Sequence, residues 1–235
     1  MLGLLESPAS LATMTVTICF VTYHYFFRAS SIKHVFRGGD AEGVQRLSIY
    51  GQRLAGFICL GFTPVIISQF MDLTCVAMGL GPAKMTISAI LVGGIVIVVL
   101  PIVYLQSRLP KALEEYPEVR AIGWSSRDHL VNGLTWCVYL LSYEFFFRGF
   151  LLFTLNSEFG FWPAVTLSTG AYVFAHLDKP ASETLGSIPI GLLFGYVALE
   201  SGGIWGPVVA HCVIAVANDY FCHKRRARSL GIAHT

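Results

Sequence analysis

Four ionisable side chains stand in stretches that are otherwise apolar: Glu144, Arg148, His176 and His211. Glu144 and Arg148 are four residues apart in Tyr-Glu-Phe-Phe-Phe-Arg (143–148), so on a helix they share a face, about 40° apart. His176 closes Tyr-Val-Phe-Ala-His (172–176), with Tyr172 one turn before it, and His211 lies inside the apolar run 204–217. A carboxylate and two imidazoles are the parts needed to deprotonate a water and stabilise an oxyanion. The same Glu144, His176 and His211 could serve as a zinc set of two imidazoles and a carboxylate, although they come from three separate segments and no His-Glu-x-x-His is present. Plainer readings exist for each residue: a neutralising ion pair for Glu144 and Arg148, a helix-to-helix hydrogen bond for either histidine. Neither explains why four such groups share an apolar environment that makes each of them costly.

The elements that must position them are membrane helices. Charged residues make up 13% of the 235 residues, about half of the roughly 25% usual in soluble domains. The apolar set reaches 54% and the mean hydropathy is +0.64, which excludes a disordered chain. A net charge of +2 argues against a nucleic-acid partner. The six cysteines form no Cys-x-x-Cys pair and read as small buried hydrophobes, with no disulfide framework or structural zinc site. Seven stretches are candidate spans, at about 9–27, 54–76, 86–104, 130–155, 162–177, 187–200 and 204–221. The expected fold is an all-α polytopic transmembrane bundle of about seven spans. The sixth stretch is short, with Pro189 near its start, and is expected to be tilted or partly re-entrant. No Lys or Arg precedes the first stretch, so it is expected to be retained rather than cleaved as a signal peptide. Fourteen of the sixteen basic residues fall in alternate connections, which predicts the N-terminus outside and the C-terminal tail in the cytoplasm. One integral membrane domain is expected: three N-terminal spans and their loops in 1–129, a core in 130–221 and a basic cytoplasmic tail in 222–235.

The core carries a resemblance. Tyr-Glu-Phe-Phe-Phe-Arg (143–148), Tyr-Val-Phe-Ala-His (172–176) and His-Cys-Val-Ile-Ala (211–215), together with the glycine-rich run 188–211, resemble the motifs of the CPBP family. This is a family of intramembrane endopeptidases that includes CAAX-prenyl proteases and bacteriocin-processing proteins. Its motifs read Glu-Glu-x-x-x-Arg, Phe-x-x-x-His and His-x-x-x-Asn. The resemblance implies catalytic roles for Glu144, Arg148, His176 and His211. It also exposes departures: Tyr143 stands where the family has its water-activating glutamate, Tyr172 replaces Phe, and Ala215 replaces Asn. Glu144, Glu183 or Asp219 would then supply the missing carboxylate, and Asn218 lies seven residues after His211 on nearly the same face.

The leading expectation is an intramembrane endopeptidase in a bacterial inner membrane, with no cofactor, acting on membrane-anchored proteins or peptides. Glu144 and His176 would activate water, Arg148 would orient the carboxylate, and His211 would stabilise the oxyanion. The alternative is a catalytically silent scaffold, chaperone or immunity-type binding protein, which Tyr143 and Ala215 favour. A transporter is a weaker third reading, because no repeated halves are present. One tension stands. Straight helices place His176 near the cytoplasmic end of the fifth span and His211 about 10 Å in from the outer end of the seventh.

Overall fold

The computed structural model describes residues 7–36, 38–121 and 123–231. Arg37, used in the charge count, and residues 232–235 at the end of the tail lie outside the described residues. Those described are helices and connections, with no strand among them. Seven principal helices follow in order: α1 (Pro8–Phe26), α2 (Ala41–Gln69), α3 (Met85–Gln106), α4 (Ser126–Phe159), α5 (Phe161–Phe174), α6 (Ala181–Ser201) and α7 (Trp205–Ser229).

Their starts follow from side chains that satisfy the first unpaired amides. Ser7 Oγ accepts from Ser10 N ahead of α1, and Asp40 caps α2 through Gly43 N. Ser125 and Asp128 form a reciprocal capping box at the start of α4. Two helices widen in mid-course into π-helical stretches, Phe57–Phe62 in α2 and Phe145–Leu151 in α4. Such widened turns are frequent at functional sites, and the second one carries Arg148.

Each of the seven expected stretches overlaps one of these helices, although the second, 54–76, runs past the end of α2 at Gln69. By length and apolarity, however, three described helices can cross a bilayer alone: α2, α4 and α6. The count rises to five if two bent pairs each form one span, Pro8–Phe26 with Ala29–Phe36 at 49° and Val76–Ile90 with Val92–Gln106 at 64°. The remaining two fall short for different reasons. α5 has 14 residues, about 21 Å against a hydrocarbon core of about 30 Å. α7 has the length, but its second half carries Asp219, Lys224, Arg225, Arg226 and Arg228. The short element is therefore the fifth rather than the sixth, since α6 runs unbroken through Pro189 for 21 residues.

α4 is the centre of the molecule: 78% of its most apolar window is buried, against 33% for α2 and for α6. α1 and α2 pack on one side of it and α5 and α7 on the other, with α6 against α5 and α3 against α7. Phe145, Phe146, Phe147 and Phe150 of the π stretch fill the core between them. At one end of the bundle Lys84 N donates to Ser201 O and Ile204 N to Gly79 O, joining the connection before α3 to the α6–α7 turn. At the opposite end residues 118–120 of the connection before α4 lie against α2, where Gln45 donates to the Glu118 carbonyl and accepts from the Arg120 amide.

Candidate active site

Glu144 and Arg148 lie within the core on α4, 0% and 1% exposed. Arg148 Nη1 is 3.2 Å from Oε2 of Glu144 and donates to Oε1 at 3.4 Å. Its guanidinium sits 3.8 Å over the Tyr172 ring and 5.6 Å from that of Phe194, so the cation is held by aromatic faces as well as by the carboxylate. A buried charge without such partners would cost several kcal/mol. The π stretch leaves the Phe147 carbonyl for Ser168 Oγ, which donates to it at 2.8 Å and ties α5 to the turn that carries Arg148. A Cβ on Gly191 would lie 2.8 Å from Thr169 Cγ2 and 3.2 Å from Tyr172 Cδ1, so glycine is what lets α6 close on α5 beside Tyr172.

His211 Nδ1 is 2.5 Å from Glu144 Oε1. A carboxylate only accepts, so Nδ1–H donates and the opposite nitrogen, Nε2, faces away from the pair. His176 Nδ1 is 2.8 Å from the Tyr172 carbonyl. That oxygen also only accepts, which fixes the proton on Nδ1 and leaves Nε2 as the lone-pair nitrogen of the neutral ring.

Both imidazoles pack on the same two tyrosines. Tyr172 has His176 at 4.4 Å and His211 at 6.4 Å between ring centroids, and Tyr143 has them at 6.3 and 6.0 Å, edge to face. The depth tension is thereby resolved. α5 is too short to reach the far end of the bundle, so His176, just past its last turn, stops at the level of Glu144 near the middle of the 34-residue α4.

The other expected carboxylates are placed elsewhere. Glu183 accepts from Tyr116 OH at 3.0 Å, and Asp219 accepts from Asn132 Nδ2 at 2.9 Å and Trp136 Nε1 at 2.7 Å. Asn218 has Cys222 Sγ at 3.8 Å. Of the three carboxylates considered, Glu144 alone hydrogen-bonds a histidine of the pair, and its partner is His211 rather than His176. Glu144 Oε1 takes both His211 Nδ1–H and Arg148, and among the described residues no three His, Cys, Asp or Glu side chains are grouped to hold an ion.

A second polar cluster escapes the sequence reading. Arg53, 3% exposed, donates to Asn132 Oδ1, Thr135 Oγ1 and Glu118 Oε2 at 2.8–3.1 Å, and lies 4.0 Å over the Trp136 ring. The charge count takes Arg53 for a topology anchor only. The spacing of Asn132 and Trp136 on one face of α4 was the available signal.

Between α4 and α7 lies an apolar groove of about 500 Å³. It runs from Trp124 and Tyr220 to Cys137 and Cys212, the latter adjacent in sequence to His211. Val213 and Tyr220 of its lining are exposed, so the groove is open along the side of the bundle between the two helices.

Residues 129–217 match the family model described as type II CAAX prenyl endopeptidase Rce1-like. That segment runs from the first turn of α4 into α7, holds all four site residues, and is consistent with the CPBP resemblance carried by the three motifs. No curated protein and no solved structure matches the chain.

Proposed function

We propose that this helical membrane protein is an intramembrane endopeptidase that hydrolyses peptide bonds of membrane-anchored substrates with water activated by histidine. The observation that carries the proposal is the buried Arg148–Glu144–His211 relay beside His176, whose Nδ1 proton is committed to a backbone carbonyl. His176 Nε2 takes a proton from water as the hydroxide adds to the scissile carbonyl carbon. The resulting oxyanion faces Nε2–H of His211, whose positive charge the Glu144 carboxylate stabilises. Collapse of the tetrahedral intermediate breaks the C–N bond, and the proton held by His176 passes to the leaving nitrogen, giving an amine and a carboxylic acid. Glu144 thus acts through His211 rather than on the water, and Arg148 balances the charge of its carboxylate.

In this reading 130–221 is the catalytic core of a single domain, metal plays no part in the reaction, and neither Glu183 nor Asp219 takes part in it. All seven helices belong to the bilayer-embedded bundle in a bacterial inner membrane, the N-terminus outside and the 107–125 connection and basic tail in the cytoplasm. The partners are the bilayer and the anchored substrate, without nucleic acid. Full-length protein in lipid nanodiscs, offered prenylated and unprenylated membrane-anchored peptides, should cleave at least one of them, with His176→Ala and His211→Ala inactive and a strong chelator without effect. Cleavage that persists in both alanine variants, or that is lost to the chelator and restored by zinc, overturns the mechanism.

Tyr143 favours a second reading. Its buried ring lies against both imidazoles, where the family pattern has a carboxylate. A silent member of the family would bind a membrane partner at the same residues without cleaving it. Co-purification of one partner, undiminished by His176→Ala, with no cleavage of any peptide, would establish that reading instead.

A further inference from the structure

His176 lies beyond the last turn of α5, where a helix end frays and does not by itself hold a side chain to a fraction of an ångström. The turn after it is tied on three sides. Thr184 Oγ1 of α6 donates to the His176 carbonyl at 2.7 Å. Asp178 meets Arg28, beyond the end of α1, at 2.8 Å and His24 at 3.3 Å. Lys179 Nζ lies 3.6 Å from Glu118 Oε1 and donates to Tyr116 OH at 3.5 Å. Glu118 is the hub of the third tie, since its other oxygen accepts from Arg53 Nη2 at 3.1 Å and Arg53 is locked into α4 through Asn132 and Thr135. The 116–121 segment that carries it is packed inward, with Tyr116, Val119 and Ala121 buried.

We infer that Glu118 is a positioning residue for His176: by bridging Arg53 of α2 to Lys179 it fixes the turn that sets where the His176 imidazole stands. The inference rests on the hydrolase reading for its consequence in turnover, but the placement of the ring is measurable without it. Lys179 is a third exposed, so its ion pair adds little to overall stability. A displacement of His176 by about 1 Å, by contrast, costs on the order of 10²-fold in a reaction that depends on alignment.

The test uses full-length protein in nanodiscs, wild type and the variants Lys179→Met, Glu118→Gln, the double variant and Lys179→Arg. The first readout is the rate at which diethylpyrocarbonate modifies His176, resolved by mass spectrometry, with His211 as the internal control. Lys179→Met and Glu118→Gln should each raise the His176 rate by about threefold or more, the double variant should be no worse than either, and Lys179→Arg should restore it. The second readout is peptide turnover, where kcat should fall by at least about tenfold with KM within about twofold. Unchanged His176 modification in folded Lys179→Met and Glu118→Gln overturns the inference. If no protein cleaves peptide, yet the His176 rates shift as stated, the hydrolase reading falls and the positioning role stands.

Discussion

The Glu144 carboxylate meets both Arg148 and His211 in the interior, and this sharing decides how substitutions behave. Arg148→Ala leaves a wholly buried carboxylate without its guanidinium and should cost about 3–5 kcal/mol. The loss should appear as reduced monodisperse yield and a lowered Tm in detergent. Glu144→Gln keeps the shape and an acceptor for Nδ1–H but no longer stabilises the imidazolium. Turnover should fall by about 10³-fold or more while folded protein is still recovered; near-normal turnover would remove the relay from the mechanism. The four site residues were legible in the sequence because ionisable groups are conspicuous among apolar ones. Their pairing was only half legible. The Glu144–Arg148 contact follows from helical spacing, whereas the Glu144–His211 bond joins residues 67 apart and depends on how α4 meets α7. The position of Tyr143 against both imidazoles has the same tertiary origin.

Of the elements beside the site, α5 and α6 both depart from the sequence expectation, and the physical reason is shared. A hydropathy window ends a span where apolar residues stop, but a helix ends where its backbone bonds stop. Ala181–Ser187 holds Glu183, Thr184 and two serines and is nonetheless helical, begun after Pro180, so α6 is longer than its apolar run. α5 ends before the charged turn, and Glu118 meets that turn from below. Burial alone would raise the Glu118 carboxyl pKa, yet Lys179 and Arg53 hold it below the ordinary 4.5. A depressed carboxylate contributes stability that is fully present above its unfolded pKa and is lost as pH falls through the folded one. The Tm difference between wild type and Glu118→Gln should therefore be constant above about pH 5.5 and shrink below about pH 4.5. A difference that grows on acidification would mean that Glu118 is not held as an ion there.

For the whole molecule, orientation is the consequential prediction. The connection before α3, with Lys84, shares an end with the α6–α7 turn, and the 107–125 connection lies at the other. Reporter fusions after residues 115 and 228 should report cytoplasm, and one near Lys84 the outside. A periplasmic signal after 228 would invert the bundle and place Glu118 on the wrong side of the membrane. The groove between α4 and α7, opening through the flank of the bundle toward Cys212, carries a different implication. A molecule reaching His211 by that route arrives by diffusing in the plane of the membrane. Its encounter rate is set by its mole fraction among the lipids, so diluting it with inert lipid slows the reaction whereas adding buffer to the same vesicles does not.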